Sequence, residues 1–228
     1  MNSLLPKVLH PVGGKPMIQH EIDTVRALCP SRILVVVGPG QDAVVQAVAP
    51  YDTALQPVPL GTAHAVRCAW DTVTDQSGDV LILLGDTPLV PRETLESLLS
   101  RHHAADQPEI TVLAMRLENP TGYGRVVLSC DGQVERIVEE LDASPAQRAI
   151  TLVNSGMMVV RGERLSAWFS QVGNNNAKGE YYLPDLVEIV RAHGFLCAYV
   201  EGDPADLRGV NDPLQLAEAE ARFQDRMR

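Results

Sequence analysis

A carboxylate follows directly on an apolar run in this chain. Gly85 and Asp86 come after Val-Leu-Ile-Leu-Leu at 80–84. Ligands of α/β sheets bind beyond the carboxyl ends of the strands, and Mg²⁺ prefers carboxylate and other oxygen ligands. Asp86 is therefore a candidate Mg²⁺ ligand at a nucleotide site. Its position alone equally allows a loop aspartate that caps the next helix.

Two further segments could bind an anion. A loop punctuated by Pro and Gly at 5–17 carries Lys7 and Lys15, two of only three lysines beside sixteen arginines, which indicates that a compact ammonium is needed there. Its Gly-Gly-Lys-Pro text lacks P-loop spacing. Gly61 and Thr62 stand where an extended segment enters a helix, so their backbone N–H groups and the hydroxyl could bond an anion or a base edge. An ordinary helix start is the alternative.

Polar side chains suited to a carbohydrate occur later in the chain. Glu139 and Asn154 lie at the ends of a predicted hairpin and strand, and the segment 174–182 combines a polar turn with two tyrosines. Each residue alone is more often a surface residue. Asn211 alone reads as the N-cap of the last helix, with a proline following.

Short apolar runs alternate with amphipathic stretches, which predicts an α/β fold with a mostly parallel sheet covered on both faces. The predicted strands are 33–38, 80–86, 110–116, 152–160 and 196–201, and the helices are about 16–28, 40–48, 62–73, 91–103, 162–171, 184–193 and 211–227. The segment 117–140 breaks this alternation around Asp131-Gly132 and predicts a β-hairpin insertion that could wall a pocket. We expect one domain over 1–228, because neither a linker nor an internal repeat occurs.

The composition narrows the function classes. A net charge of −10 argues against a nucleic-acid surface. Since no apolar stretch approaches about 18 residues and no secretory signal opens the chain, we expect a cytoplasmic protein without a membrane span. The four cysteines are far apart in sequence, which predicts buried thiols rather than disulfides or a zinc site.

Taken together and in order, these segments resemble the N-terminal domain of the bifunctional bacterial N-acetylglucosamine-1-phosphate uridylyltransferase/glucosamine-1-phosphate acetyltransferases. The matching text, over nearly the whole chain, is LPKVLHPVGGKPMIQH, LGTAHA, LLGDTPL, NPTGYGRV, IVEE, NSG, NNNAKGEYYLPDL and GVNDPLQL. The resemblance implies a Rossmann-like nucleotidyltransferase fold. It also implies transfer of a uridylyl group from UTP to N-acetylglucosamine 1-phosphate, giving UDP-N-acetylglucosamine and pyrophosphate.

The resemblance assigns roles to matching positions. It implies that Lys7 neutralises nucleotide phosphate, that Asp86 and Asn211 hold Mg²⁺, and that Lys7 and Asp86 are the catalytic residues. The remaining assignments are the nucleotide-binding residues Gln56, Gly61 and Thr62 and the sugar-binding residues Leu84, Gly124, Glu139, Asn154, Glu180 and Tyr182. The oligomeric state stays open.

The chain also departs from this family. The family's glycine-rich strand and loop are not found before Lys7, and the acetyltransferase repeats are not found after residue 228. We expect an N-terminally truncated domain in which two neighbouring strands have unpaired edges. Ala63 replaces a usual Gly, which weakens the base assignment. The alternatives are therefore a nucleotidyltransferase for another base or sugar phosphate, and an inactive module that binds a nucleotide sugar.

Overall fold

The computed structural model describes Ser3 and residues 5–228. The strands are β1 Pro11–Val12, β2 Lys15–Pro16, β3 Leu34–Val37, β4 Asp52–Leu55, β5 Asp79–Ile82, β6 Ile110–Arg116, β7 Arg125–Leu128, β8 Val134–Val138, β9 Leu152–Arg161 and β10 Cys197–Gly202. The α-helices are α1 Met17–Arg26, α2 Asp42–Val48, α3 Thr62–Trp70, α4 Arg92–His102, α5 Pro145–Arg148, α6 Leu165–Phe169, α7 Asp185–Ala192, α8 Pro204–Leu207 and α9 Pro213–Arg226, with 3₁₀ turns at Lys7–Leu9 and Gly162–Arg164.

The main sheet is organised around the long strand β9. Strand β6 pairs antiparallel along one edge of β9, and β10 continues the sheet parallel to β6. The opposite edge of β9 is shared by β5 and by the hairpin strand β7, which pairs in turn with β8. Strands β5, β6, β7 and β10 consequently run in one direction, with β9 and β8 against them. This arrangement confirms the α/β class and the hairpin insertion.

A second, two-stranded parallel sheet consists of β3 and β4. Within the described residues β3 pairs only with β4 and β5 only with β9, so each keeps an unpaired edge. Helix α1 covers this region with Ile18 and Ile22, which pack with Val37 of β3 and with α2 in one apolar cluster.

The β-branched and apolar composition of the central strands follows from burial on both faces. Strand β6 is buried from Ile110 to Met115, and β9 is buried at most of its positions. One cluster joins β6 and β9 to α6 and α7, including Met158, Leu186 and Val187. The other packs Leu95 and Leu98 of α4 on the opposite face. The core thus lies on both sides of the sheet.

Several sequence expectations need correction. The predicted helix at 162–171 is a 3₁₀ turn followed by the short helix α6, and β4 went unpredicted. Asn211 does not cap the last helix, because the carboxylate of Asp212 accepts from the Gln215 N–H at 2.8 Å. Cys29 and Cys130 are exposed rather than buried.

None of the helices in the part of the chain that the structure describes is long and apolar enough to cross a bilayer.

Candidate functional site

Three residues from distant parts of the sequence meet in one place. The Lys7 ammonium forms an ion pair with Asp86 Oδ2 and a 2.8 Å hydrogen bond to Asn211 Oδ1. The Lys7 side chain is 39% exposed and that of Asp86 is 17% exposed, so the group opens to solvent on one side. A carboxylate and an amide oxygen therefore share one positive charge.

The chain around Asp86 is closely packed. A Cβ at Gly85 would lie 2.6 Å from Ile18 Cδ1, so a side chain there would displace Ile18 of α1. The Val210 N–H donates to the backbone oxygen of Asp86 at 2.8 Å, which places Asn211 beside the carboxylate. The turn after β5 and the segment before α9 are thereby held together.

The donor set fits a divalent cation with oxygen ligands. Asp86 and Asn211 present a carboxylate and an amide oxygen to a common point, which the Lys7 ammonium marks. Among the described residues no group of three or more His, Cys, Asp or Glu side chains could hold a metal ion. Two protein ligands completed by water and phosphate oxygens is the usual arrangement for Mg²⁺ with a nucleotide.

Gln56 lies at the end of β4 with its amide orientation fixed by its partners. Its Nε2 donates to the Gly61 carbonyl and to His64 Nδ1, both at 3.1 Å. A carbonyl oxygen only accepts, so the NH₂ end must face it, and both amide protons are used within the protein. The Oε1 atom remains as the acceptor that Gln56 can offer to a ligand.

The predicted base-binding segment is docked on the segment around Tyr181. The Tyr181 N–H donates to the Leu60 carbonyl at 2.8 Å, and the Ala63 N–H donates to the Tyr181 carbonyl at 2.9 Å. The Thr62 hydroxyl accepts from the Leu183 N–H at 2.9 Å. A Cβ at Gly61, whose φ is +113°, would lie 2.5 Å from the Tyr181 carbonyl oxygen. Glycine is therefore required here by close packing and by backbone conformation.

The structure brings together three of the predicted sugar-binding residues where β7, β8 and β9 meet. The Asn154 N–H donates to the Gly124 carbonyl at 2.8 Å. A Cβ at Gly124 would lie 2.9 Å from Glu139 Oε1, so glycine allows the Glu139 carboxyl to approach the backbone. Burial raises the pKa of Glu139, although the nearby Lys178 opposes the rise. Asn154 is only 7% exposed.

Leu84 connects this group to the turn that carries Asp86. A Cβ at Gly156, whose φ is +89°, would lie 2.6 Å from Leu84 Cδ1. The Asn154 side-chain oxygen accepts from the Gly156 N–H at 3.0 Å. The Leu84 side chain thus packs directly over the backbone of β9 two residues after Asn154.

Glu180 and Tyr182 lie between the base-side and sugar-side groups. The Cβ of Glu180 is 3.0 Å from the point where a Gly61 Cβ would stand. Burial, then the charges of Asp142 and Glu139, raise the pKa of Tyr182 to about 12. Its hydroxyl oxygen is buried and has no hydrogen-bond partner among the described residues. A ligand hydroxyl or amide would satisfy it.

The sequence analysis missed one buried acid beside this site. Glu21 of α1 is 5% exposed and bonds to the hydroxyl of Thr87, the residue after Asp86. The helical period could have found it, because a Glu three residues after Ile18 and four after Met17 lies on the apolar face of α1.

Comparisons with known proteins give a consistent result. Residues 1–156 match the family model described as the MobA-like NTP transferase domain. The chain is 50% identical over 228 residues to the bifunctional protein GlmU of Rhodospirillum rubrum and 47% identical to that of Paramagnetospirillum magneticum. Both alignments cover 100% of this chain and 51% of the relative, so the chain spans about half the length of these relatives.

Two solved structures are similar in fold. One is a CMP:2-keto-3-deoxy-manno-octonic acid synthetase complexed with CTP, with a TM-score of 0.69 and 19% identity, covering 99% of this chain and 95% of that one. The other is HddC from Yersinia pseudotuberculosis complexed with GMP-PN, with a TM-score of 0.67 and 14% identity, covering 98% and 93%. At these identities the likeness establishes the fold alone.

Proposed function

Because the chain belongs to the MobA-like NTP transferase family, we propose that it transfers a uridylyl group from UTP to N-acetylglucosamine 1-phosphate in the cytoplasm. A phosphate oxygen of the sugar phosphate attacks the α-phosphorus of UTP. The new P–O bond forms as the bond to pyrophosphate breaks, and UDP-N-acetylglucosamine and pyrophosphate are the products.

The observation that carries this proposal is the meeting of Lys7, Asp86 and Asn211. Transfer between two phosphorylated anions needs no covalent residue, since positioning and charge neutralisation supply most of the rate. Asp86 and Asn211 would hold Mg²⁺, which would neutralise charge on the transferring phosphate. Lys7 would then move from these oxygens to the phosphates of the nucleotide.

The surrounding residues support the substrates. With both amide protons of Gln56 committed to Gly61 and His64, its Oε1 can accept from the imide N–H of uracil. Glu139 and Asn154 would bond sugar hydroxyls, with Leu84 and Gly124 shaping the pocket and Glu180 and Tyr182 at its rim.

A pyrophosphate-release assay tests the proposal. The chain is incubated with Mg²⁺, N-acetylglucosamine 1-phosphate and, separately, UTP, CTP, GTP or dTTP. We expect turnover with UTP and little with CTP. Activity confined to another nucleotide would contradict the uridylyl assignment. Saturable binding of UDP-N-acetylglucosamine without turnover would instead favour a binding module.

A further inference from the structure

Glu21 places a carboxyl group on the buried, apolar face of helix α1. Met17, Ile18, His20, Glu21 and Ile22 are the buried residues of α1, and Glu21 is 5% exposed. One of its carboxyl oxygens, Oε2, has no hydrogen-bond partner among the described residues. A buried acceptor left unsatisfied costs about 1–3 kcal/mol. An apolar residue would therefore stabilise the fold more, so packing alone does not account for a glutamate at this position.

The Thr87 hydroxyl lies close to two oxygen atoms but has only one proton to donate. The Thr87 hydroxyl oxygen lies 2.7 Å from the Leu84 carbonyl oxygen and also bonds to Glu21 Oε1. A hydroxyl has one proton, and a carbonyl only accepts. The Thr87 hydroxyl can therefore donate only one of these two bonds. With its proton on the Leu84 carbonyl, a neutral Glu21 supplies the proton that it shares with Thr87. Burial supports this state, because it raises the pKa of Glu21 to about 8.

The result is a hydrogen-bond relay from α1 through Thr87 to the Leu84 carbonyl. The relay spans the turn 84–87, whose ends are also joined by a 3.4 Å bond from the Thr87 N–H to the same carbonyl. Asp86 lies inside this turn. On the other side, the Val210 N–H holds the Asp86 backbone oxygen.

We propose that Glu21 is a positioning residue for Asp86, acting as the donor that closes the turn 84–87 through the Thr87 hydroxyl. It touches neither substrate nor metal. Its effect is to hold the Asp86 carboxylate at the distance from Asn211 that a divalent cation requires. The effect on Mg²⁺ binding rests on the proposed function, whereas the support of the turn 84–87 rests only on the hydrogen bonds among Glu21, Thr87 and Leu84.

Two variants at position 21 separate positioning from packing. Glu21→Gln keeps a donor, because the side-chain NH₂ can bond to the Thr87 hydroxyl, whereas Glu21→Leu keeps the volume and removes the donor. Thr87→Ser and Thr87→Val form the matching pair at the other end of the relay. Glu21→Leu is expected to fold at least as stably as the wild type.

The first measurement is hydrogen exchange of the backbone amides at 85–87, which needs no activity. We expect roughly 3- to 10-fold faster exchange in Glu21→Leu and Thr87→Val, the factor that one hydrogen bond supplies. Exchange in Glu21→Gln and Thr87→Ser should stay within about 2-fold of the wild type. Unchanged exchange in Glu21→Leu, or equal acceleration in Glu21→Gln, overturns the inference.

The second measurement is the Mg²⁺ concentration at half-maximal pyrophosphate release. Glu21→Leu should raise it roughly 3- to 10-fold while Glu21→Gln restores it. If the wild type is active and the Mg²⁺ midpoint is unchanged in Glu21→Leu, the positioning role is overturned and the proposed function is not. Absence of turnover in every variant including the wild type contradicts the proposed function, and the exchange result then decides the relay.

Discussion

Strand β5 begins at one acid, Asp79, and is followed by another, Asp86, and the two are similarly buried but differently surrounded. At its amino end, the Asp79 side chain is 22% exposed and faces His102, His103 and Arg161. Beyond its carboxyl end, the Asp86 side chain is 17% exposed and shares the Lys7 ammonium with an amide oxygen. Burial does not distinguish these acids. The convergence of two oxygen donors on one cation does.

The two regions also differ in whether their buried polar atoms have hydrogen-bond partners. His102 is fully buried at the Asp79 end, and both of its ring nitrogens have partners, Thr111 Oγ1 at 3.0 Å and Asp79 Oδ1 at 3.3 Å. Beside the Asp86 turn, Glu21 Oε2 is buried without a partner among the described residues, and the same holds for the Tyr182 hydroxyl near Glu139 and Asp142. The Asp79 end has the satisfied network of a structural cluster, whereas the region of the candidate site contains buried polar atoms without partners, of which the Tyr182 hydroxyl is the one that a ligand could bond.

The largest effect is expected from Asp86→Ala. This change removes the carboxylate that would hold the metal, so Mg²⁺-dependent pyrophosphate release should fall at least about 100-fold. The fold should remain, because Asp86 forms only a partly exposed ion pair. Turnover and thermal unfolding are measured on the same preparation, with the exposed Asp225→Ala as the control. Full activity in a folded Asp86→Ala protein would show that the metal assignment is wrong.

The buried acid at the Asp86 end should reveal itself in the pH dependence of stability. The pKa of Glu21 is raised by burial from 4.5 to about 8 in the folded protein, so the unfolded chain releases this proton at lower pH. The contribution of the Glu21 proton to the free energy of unfolding is complete below pH 4.5 and is lost as the pH rises to about 8. The loss amounts to roughly 3 kcal/mol by pH 7.

Glu21→Gln has no proton to release, and its stability advantage over the wild type should therefore grow between pH 5 and pH 8. Urea unfolding of both proteins at several pH values in this range measures the difference. A difference that stays constant across the range would indicate that Glu21 is not protonated in the folded state.

At the other end of β5, Asp79→Ala should lower the free energy of unfolding by about 2 kcal/mol, because the buried His102 loses a hydrogen-bond partner. Binding of UDP-N-acetylglucosamine below the melting temperature should not change. His103→Ala is the control, since His103 is exposed and should cost less than about 0.5 kcal/mol. Weaker ligand binding in Asp79→Ala would remove the distinction between the two ends.

The sequence predicts site residues whose position depends on a single element, but it does not predict contacts between distant segments. Gly85-Asp86 after an apolar run predicted the place of the carboxylate, because ligands of α/β sheets bind beyond the carboxyl ends of the strands. The meeting of Lys7 with Asn211 is set by the packing of α9 against the start of the chain. Periodicity does not encode such a contact, and the family resemblance alone implied it.

Other features escaped for identifiable reasons. Strand β4, Asp-Thr-Ala-Leu, is only four residues long, which is too short for a clear period to be recognised, and it forms because β3 offers a parallel edge. Asn211 read as a helix cap, but Asp212 stands one residue closer to the helix and takes that role. Glu21 broke the apolar period of α1, and a departure of that kind is a signal of function that sequence reasoning can use.

The smallest effect is expected from Tyr182→Phe, which tests the one unsatisfied hydroxyl that the candidate site offers to a ligand. The Tyr182 hydroxyl is buried without a partner among the described residues, so its removal should change the free energy of unfolding by less than about 1 kcal/mol and could raise it. If the hydroxyl bonds the sugar, the Kd for UDP-N-acetylglucosamine should rise roughly 3- to 10-fold. Calorimetric titration and urea unfolding measure the two quantities, with Tyr181→Phe as the control. A clear loss of stability with unchanged affinity would make Tyr182 a structural residue like His102, and the contrast between the two ends of β5 would then rest on Asp86 and Glu21 alone.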